Sequence, residues 1–424
     1  MKKGFYTIMT AQFFSSLADN ALLLVAIALL RQSHAPSWHV PALVPMFALF
    51  YVLLAPVVGA FADAMPKGRV MFIANSIKVL GCLMMLGGHH PLLSYAVVGL
   101  GAAAYSPAKY GILTELLPPS QLVRANGWIE GLTIASIVLG VLLGGQMISP
   151  AVMHPLDQAF VRIGVDFALP VQASIVVMGV LYVIAAGFNL GIPRTEVPMI
   201  PLRGSVWVLI TDFMRCNAWL WRDKLGQITL GTTTLFWGVS GNLRVIVFAW
   251  AAVALGYTTT QASSLVGVVA IGTAVGAVAA SMLVRLPAAP KVIPLGAAMG
   301  IFLMGMVFID SVWMAIPFLL IMGAIGGFMV VPMNALLQHR GHNLMGAGRS
   351  IAVQNFNEQA CILMLGGLYA LLERAGVSAY TIIVLLGATV TLVMAALGYW
   401  HHSNLRRTPG RVQRLLRIAE GGGH

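Results

Sequence analysis

Six ionisable side chains lie within stretches of the sequence that are otherwise apolar enough to cross a membrane. They comprise three acids and three bases: Asp19, Lys78, Lys109, Glu130, Arg244 and Glu358. A charged group in the bilayer core costs at least ~2.5 kcal/mol unless a partner compensates it, and such groups usually mark a ligand path or gate. Arg and Lys suit a phosphate, whereas a carboxylate suits an ammonium. The balanced set therefore predicts a site that accepts a zwitterion.

Two ion pairs are predicted among the six charged residues. At about 1.5 Å per residue, Asp19 and Arg244 both lie ~20 to 27 Å from one end of their helices, in the outer half of the membrane. We predict that these two residues pair between the first and the seventh span. Lys109 and Glu130 lie in the inner half and are predicted to pair or to contact the ligand. The alternative for every charge is a static salt bridge that fixes helix packing.

The elements that must position these charges are predicted to be transmembrane helices. Hydrophobic residues make up 59% of the 424 residues and charged residues 9%, against roughly 25% charged in an average soluble domain. The mean hydropathy is +0.88. This composition predicts an all-α polytopic membrane protein with room for about twelve helices of roughly 20 residues. The predicted spans are 5–31, 41–63, 70–88, 92–115, 123–149, 171–192, 226–256, 261–284, 292–309, 312–338, 349–372 and 378–400.

The distribution of basic residues supports an even number of spans. Of the 25 Lys and Arg residues, nineteen fall in one set of loops and tails, and the other set holds only Arg31, Arg162 and Arg374. Because basic loops stay in the cytoplasm, both termini are predicted to be cytoplasmic. The net charge of +12 therefore reflects topology, and nucleic acid is not an expected partner.

A polar linker divides the predicted spans into six plus six. Its Trp207, Trp219 and Trp221 suggest an amphipathic segment at the membrane interface. The C-terminal tail carries five arginines and is predicted either to rest on anionic lipid or to be solvated. The predicted domains are an N-terminal bundle at 1–192, the cytoplasmic linker at 193–225, a C-terminal bundle at 226–400 and a basic cytoplasmic tail at 401–424.

The two halves repeat short motifs in the same order. Asn20 in the first span aligns with Asn242 in the seventh, and Pro107 in the fourth aligns with Pro332 in the tenth. A duplicated chain predicts two pseudo-symmetric bundles that rock about a central cavity. Asn20, Asn242 and Asn355 are expected to line that cavity, with helix-to-helix hydrogen bonding of about 0.6 kcal/mol each as the alternative. The two prolines are expected to kink their helices.

Pairs of glycines four residues apart are predicted to allow close helix contact. They are Gly140 with Gly144, Gly272 with Gly276, and Gly323 with Gly327. Small residues at this spacing let two membrane helices approach until their backbones touch.

The loop between the second and third spans resembles the cytoplasmic signature of the major facilitator superfamily. The matching residues are Gly59, Asp63, Lys67 and Arg69, although the loop is longer than usual and Pro66 stands where a glycine is expected. An acid at a helix end beside two bases is able to hold adjacent helices together. Asp63, Lys67 and Arg69 are therefore predicted to form a conformational latch, with ordinary helix-end charges as the alternative.

A narrower resemblance covers nearly the whole chain. The segments that carry it are Ala18-Asp-Asn-Ala-Leu22, Lys67-Gly-Arg-Val-Met71, Pro107-Ala-Lys-Tyr-Gly111, Ala125-Asn-Gly127, Val330 to Gln338 and Ala352-Val-Gln-Asn355. They resemble the bacterial lysophospholipid transporter family. The resemblance implies a twelve-helix major-facilitator fold and inward movement of lysophospholipids, chiefly lysophosphatidylethanolamine, across the bacterial inner membrane. It also implies a functional partner, an acyltransferase and acyl-carrier-protein synthetase that restores the diacyl lipid. A monomer is expected.

Other functions need motifs that the sequence lacks. It contains no Gly-x4-Gly-Lys-Ser/Thr for ATP and no His-x4-Asp of glycerolipid acyltransferases. The paired histidines, His89 with His90 and His401 with His402, do not share a helix face, so no metal site and no cofactor are expected. An enzyme is not expected, and an integral membrane lipid-modifying enzyme is the distant alternative.

The closer alternative is a proton-coupled drug or solute transporter of the same superfamily. Asp19, Glu130 or Glu358 would then carry the proton. A lysophospholipid would instead need an apolar wall for its chain and charges of both signs for its head group. The six buried charges suit the second requirement.

Overall fold

The structure, a computed structural model, describes residues 3–36, 39–201, 205–257 and 259–420. Parts of the predicted N-terminal bundle, linker and tail lie outside these ranges. Within them the ordered elements are sixteen α-helices and two short 3-10 helices, η1 (Leu286–Val292) and η2 (Met306–Phe308). The α-helices are α1 (Lys3–Gln32), α2 (His39–Leu53), α3 (Ala55–Ala64), α4 (Lys67–Leu86), α5 (Pro91–Leu116), α6 (Pro119–Met147), α7 (Pro150–Arg162), α8 (Val171–Leu190), α9 (Val206–Arg222), α10 (Gly226–Ala254), α11 (Thr259–Leu283), α12 (Ile293–Gly305), α13 (Val312–Met345), α14 (Ala347–Arg374), α15 (Ala379–Arg407) and α16 (Pro409–Ala419).

The number of helices able to cross a membrane differs from the predicted twelve. Nine helices in the described ranges are long and apolar enough, and a tenth counts if α2 and α3 form one span. Two predicted spans, 92–115 and 349–372, are helices α5 and α14 of 26 and 28 residues, but they are not among the nine. Lys109 lies on α5, and Asn355 and Glu358 lie on α14, and polar side chains of this kind lower the mean apolarity of a helix. The all-helical class is confirmed, and the exact count is not.

One predicted span is broken, and three helices lie outside the predicted spans. The 41–63 segment forms α2 and α3, which meet at Leu54 with a bend of 64°. Pro56 at the start of α3 has no N–H to donate back to α2, so the break costs little there. Helices α7, α9 and α16 are short and amphipathic. The linker tryptophans therefore lie on or beside a helix, and Trp207 is 76% exposed.

The chain separates into two compact units. Unit 1 comprises Met1–Leu116, Ala135–Phe213 and Gly346–Ala352, and unit 2 comprises Leu117–Ile134, Met214–Met345 and Val353–His424. In unit 1, α4 packs against α5 and α8, and α1 packs against α8. In unit 2, α11 packs against α13, and α12 packs against α15. The domain boundaries expected at residues 192 and 226 stay predictions.

Glycines hold α11 and α13 together in unit 2. A Cβ added to Gly272 or Gly276 would meet backbone atoms of Leu320 or Ala324 on α13. Reciprocally, a Cβ on Gly323 or Gly327 would meet the backbone of α11. The close helix contact predicted from the glycine spacing is therefore present. Backbone contact of this kind leaves no space for a side chain.

The contact between α11 and α13 predicts a position-specific loss of stability. Gly276→Leu must push the two helices apart, and such overpacking typically costs about 1–3 kcal/mol. We expect a fall of several degrees in the Tm of the detergent-purified protein, measured by a thermal-shift assay. Gly267→Leu is the matched control, since it lies on the same helix with open space around its Cβ position. Equal Tm values for the two variants would contradict this account.

Candidate functional site

The buried ion pair of unit 1 joins Asp19 on α1 to Lys78 on α4. The Lys78 ammonium lies 2.8 Å from both carboxylate oxygens of Asp19 and donates a further hydrogen bond of 2.9 Å to Ser15 Oγ. The side chain of Lys78 is 1% exposed, whereas that of Asp19 is 21% exposed. All three ammonium protons thus have acceptors, and one face of the carboxylate remains accessible.

Aromatic and polar groups complete the surroundings of this ion pair. The Tyr182 hydroxyl on α8 donates to Asp19 Oδ1 over 2.7 Å. The rings of Tyr105 and Tyr182 flank Lys78, with the ammonium 5.3 Å from each ring centroid. Ser15 Oγ donates to Asn75 Oδ1 over 2.8 Å. Breaking such a buried pair by removing one partner typically costs about 3–5 kcal/mol, because the other charge is left uncompensated.

The predicted partner of Asp19 was Arg244, and the ion-pair partner within its unit is Lys78. Arg244 lies on α10 in unit 2 and is exposed. Lys109 is buried on α5 in unit 1, with its ammonium 4.0 Å from the centroid of the Tyr110 ring. Glu130 is buried on the part of α6 that belongs to unit 2. Both predicted pairs, Asp19 with Arg244 and Lys109 with Glu130, join residues of different units and stay predictions.

A second network in unit 1 surrounds Asp63, at the end of α3. Its Oδ1 accepts hydrogen bonds from Lys67 Nζ at 3.0 Å and from the Gly348 amide at 2.7 Å, and Oδ2 accepts from the Arg349 amide at 2.9 Å. Gly348 and Arg349 lie in the first turn of α14, where amides have no acceptor within the helix. A negative charge at this position also interacts favourably with the helix dipole. Asp63 therefore caps a helix distant in sequence.

The network around Asp63 includes charges that the sequence did not single out. Lys67 Nζ lies 3.1 Å from Glu115 Oε1, and the Arg349 Nε lies 2.9 Å from Asp212 Oδ2. Arg69, which was expected in the latch, is exposed and forms no ion pair within the described ranges. The base that faces Asp63 beside Lys67 is Arg349 instead, at 3.5 Å. Asp63 and Lys67 of the loop motif are thus in contact, whereas Arg69 lies outside this network, and the latch itself stays a prediction.

Unit 2 contains a cluster of buried amides and acids. Asn126 on α6 donates to Gln338 on α13 over 2.9 Å, and Gln354 on α14 donates to Asn334 on α13 over 3.0 Å. Gln354 also donates to Glu358 Oε1 over 2.8 Å. These residues come from sequence segments far apart in the chain. The cluster therefore joins three helices through polar contacts that membrane lipid would not provide.

Glu358 is the acid of this cluster that accepts a hydrogen bond from Gln354. It is 9% exposed and forms no salt bridge within the described residues. Besides Gln354, it interacts with Thr233 and with the charge of Glu130. Asn355 is half-buried on the same helix. Two acids thus share one buried region of unit 2.

Asn20 and Asn242 occupy equivalent positions in the two halves. Asn20 donates to the carbonyl of Ser16 over 2.8 Å, and Asn242 donates to that of Gly238 over 2.8 Å, each four residues earlier. A Cβ on Gly140 would contact the side chain of Asn20 in unit 1, and one on Gly366 would contact that of Asn242 in unit 2. The same asparagine therefore meets a glycine of the fifth predicted span in each half.

An apolar cavity of about 310 Å³ opens beside Asn242 in unit 2. Its walls come from α10, α14 and α15, and Leu365, Tyr369 and Leu385 are among the lining side chains. Asn242 has both donor protons engaged, since it also donates to the Ile362 carbonyl over 3.0 Å. The cavity is near the lower end of the volumes of small-molecule pockets, ~300–1,000 Å³. Its lining suits a hydrocarbon chain.

A further ion pair outside the spans anchors the start of α10. Arg340 makes a two-pronged contact with Asp223, at 3.1 and 2.7 Å, and the amides of Leu225 and Gly226 also donate to Asp223 Oδ1. Burial opposes ionisation of Asp223, but Arg340 and the two amides outweigh it and hold the pKa of Asp223 below its ordinary value. The stabilisation is present above the ordinary pKa of Asp and disappears as pH falls through the lowered one.

The remaining site predictions concern kinks and metals. Pro107 and Pro332 lie inside α5 and α13, each of which continues as one helix through its proline. The predicted kinks stay predictions. Among the residues that the structure describes, no group of three or more His, Cys, Asp or Glu side chains is arranged to hold a metal ion.

Comparison with known proteins identifies relatives over almost the whole chain. Residues 8–357 match the family model of the Major Facilitator Superfamily. Proteins named Lysophospholipid transporter LplT share 40% identity over 381 residues in Yersinia enterocolitica and 40% over 403 residues in Klebsiella pneumoniae. The alignments cover 89% of this chain and 89% of the Yersinia protein, and 94% of this chain and 96% of the Klebsiella protein. The Photorhabdus laumondii protein of the same name is 37% identical over 402 residues, covering 95% of this chain and 96% of that protein.

Solved structures support the fold at much lower identity. The fucose transporter FucP, crystallised in its outward conformation, aligns with a TM-score of 0.69 at 13% identity, covering 94% of this chain and 98% of that one. The human organic anion transporter MFSD10 aligns with a TM-score of 0.68 at 14% identity, covering 94% and 100%. The chain is a multi-pass membrane protein that belongs to the Major Facilitator Superfamily and, within it, to the family of bacterial lysophospholipid transporters.

Proposed function

We propose that this protein moves lysophospholipids, chiefly lysophosphatidylethanolamine, from the periplasmic to the cytoplasmic leaflet of a bacterial inner membrane by alternating access. The lipid would then be reacylated by an acyltransferase and acyl-carrier-protein synthetase. Both termini lie in the cytoplasm, and the protein acts as a monomer. The observation that carries the proposal is the identity of about 40% with proteins named as lysophospholipid transporters along nearly their whole length.

The charges of unit 1 suit the head group of such a lipid. Asp19 is paired with Lys78 but retains an accessible carboxylate face. An ammonium group of the substrate would bind that face. A balanced pair of this kind accepts a zwitterion without leaving net charge in the membrane. Arg244, exposed on α10 of unit 2, is separately our candidate for a phosphate contact.

The apolar cavity beside Asn242 suits the single acyl chain of the substrate. It is lined mainly by leucines, two isoleucines and a tyrosine, and Asn242 has its donor protons occupied by backbone carbonyls. Each methylene of a chain buried there would contribute about 0.8 kcal/mol. The cavity therefore supports binding of the tail without any specific polar contact.

Asp63 and its partners are assigned the role of a conformational latch. The carboxylate accepts three hydrogen bonds, two of them from amides of the first turn of α14, and the Arg349 guanidinium lies 3.5 Å away. That turn belongs to unit 1, whereas the rest of α14 belongs to unit 2. Release of Asp63 would free the start of α14 to move with the remainder of its helix.

The proposal is tested in vesicles that contain the purified protein. Fluorescent lysophosphatidylethanolamine is added to one leaflet, and its transfer is followed with a membrane-impermeant quencher and no ATP. We expect transfer well above that of protein-free vesicles. Transfer of a drug or solute with no lysolipid movement would favour a proton-coupled carrier, and a change in lipid mass would favour an enzyme.

Substitutions of Asp19 and Lys78 distinguish whether this ion pair binds substrate or only holds the helices together. Asp19→Asn or Lys78→Met alone leaves one buried charge and should reduce the yield of folded protein, at a cost of about 3–5 kcal/mol. The double variant removes both charges and should recover the yield, as judged by size-exclusion chromatography. We nevertheless expect its lysolipid transfer to fall to the protein-free background. Wild-type transfer by the double variant would mean that the pair serves packing only.

The latch predicts different effects for two charged residues of one loop. Asp63→Asn keeps the shape but removes the charge that attracts its donors, each worth about 1.5–3 kcal/mol when charge-assisted. We expect lysolipid transfer to fall roughly tenfold. Arg69→Gln, which alters an exposed residue of the same loop, should stay within about twofold of wild type. Similar rates for the two variants in equal amounts of folded protein would argue against a latch.

The cavity predicts a dependence on acyl-chain length. Leu365→Trp would displace about two methylenes of a long chain, or about 1.6 kcal/mol, and should weaken palmitoyl lysolipid binding roughly tenfold. An octanoyl lysolipid, whose chain is shorter, should be affected less. Leu363→Trp on the same helix is the control, since that side chain is half exposed and does not line the cavity. An equal effect on both chain lengths would refute tail binding at this position.

A further inference from the structure

A basic groove lies on unit 2 between η1 and the C-terminal helix α16. The groove encloses about 360 Å³ and is lined by the three bases Arg285, Lys291 and Arg417, by one acid, Glu420, and by less polar walls that include Pro287 and Leu416. All three bases are exposed, and none forms an ion pair within the described part of the chain. The groove thus concentrates positive charge that the protein itself leaves uncompensated.

Helix α16 is held in place, so the groove has a defined shape. Val412 and Ala419 are fully buried, and α16 packs against η1 and the end of α15. At the preceding turn, the Thr408 hydroxyl and amide both donate to the Asn404 carbonyl over 3.0 Å. Lys224 Nζ in turn donates to Asn404 Oδ1 over 3.2 Å. The tail helix is therefore an anchored element with one buried face.

The groove also borders the membrane surface. Arg285 lies two residues beyond the end of α11, whose last residues Met282 and Leu283 are 79% and 74% exposed. Such apolar side chains at the end of an apolar helix face lipid rather than water. The adjoining loop belongs to the set of basic loops that predicts the cytoplasmic side. Lipid phosphates lie at this depth, and anionic lipids of the inner leaflet attract basic groups near the surface.

We propose that this groove binds the phosphate head group of an anionic phospholipid of the cytoplasmic leaflet. The phosphate would lie among Arg285, Lys291 and Arg417, and the acyl chains would extend past Met282 and Leu283. Glu420 leaves the groove with a surplus of two positive charges, which favours a singly charged phosphodiester over a zwitterionic head group. This lipid is a bound, non-transported ligand, so the proposal does not depend on which lipid the protein moves.

The test is a titration of the purified protein with dioleoyl phosphatidylglycerol, followed by native mass spectrometry. We expect one lipid to bind more tightly than dioleoyl phosphatidylethanolamine. The triple variant Arg285→Gln, Lys291→Gln, Arg417→Gln should weaken this first binding event by at least about tenfold, because basic groups near the membrane surface attract lipid phosphates. The conservative variant Arg285→Lys, Lys291→Arg, Arg417→Lys should retain it.

A matched control separates the groove from general surface charge. Arg406→Gln, Arg407→Gln and Arg414→Gln together remove the same charge from exposed tail residues that do not line the groove. This variant should bind phosphatidylglycerol within about twofold of wild type. Equal losses in the two neutralised variants, or equal binding of both lipids by wild type, would overturn the proposal. Displacement of the bound lipid by millimolar inorganic phosphate would assign the groove to a free anion instead.

Discussion

The cost of leaving a charge uncompensated inside a membrane protein is the constraint on which this structure depends. Lys78 is almost fully buried, and Asp19 accepts two of its contacts and Ser15 a third. The same requirement explains the contacts of Asp63, which gathers an ammonium, a guanidinium and two backbone amides. Each charged side chain therefore fixes the relative positions of the helices that supply its partners.

Unit 1 uses this constraint twice, at different places in its helices. The Asp19–Lys78 pair joins the middle of α1 to α4, and Tyr182 adds α8 to the same contact. The Asp63 network instead joins helix ends, through a cap on the first turn of α14. An ion pair in the middle of helices suits ligand binding, whereas a cap at a helix end suits a contact between helices that can break and re-form. Unit 2 relies more on neutral groups, with Gln354 bridging Asn334 and Glu358.

Sequence reasoning found the class of fold and the residues under constraint, but not their partners. Apolar runs identify the membrane helices, and an acid inside such a run is conspicuous. Asp19 was therefore recognisable from the sequence. Which base meets that acid within unit 1 depends on helix neighbours, and α4 supplies Lys78. The pairing of Asp19 with Arg244, expected from depth, stays a prediction. The loop motif located Asp63 and Lys67, yet Arg349, nearly three hundred residues later, was visible only as another basic loop residue. Short amphipathic helices such as α7 and α16 have a periodic apolar face, but they are too short and too polar for a search for membrane-crossing runs to find them.

The equivalent asparagines have a consequence for how an amphiphile is handled. Asn20 and Asn242 pack against matching glycines, so the duplicated scaffold has kept its helix spacing in both halves. The neighbours of these asparagines have diverged: Asp19 precedes the first, and the uncharged Gly241 precedes the second, beside an apolar cavity. Under the proposed function, similar frameworks with unlike interiors would suit the two ends of a molecule that is charged at one end and apolar at the other. Gene duplication followed by loss of one acid would be enough to make the two halves of a symmetric carrier differ in charge.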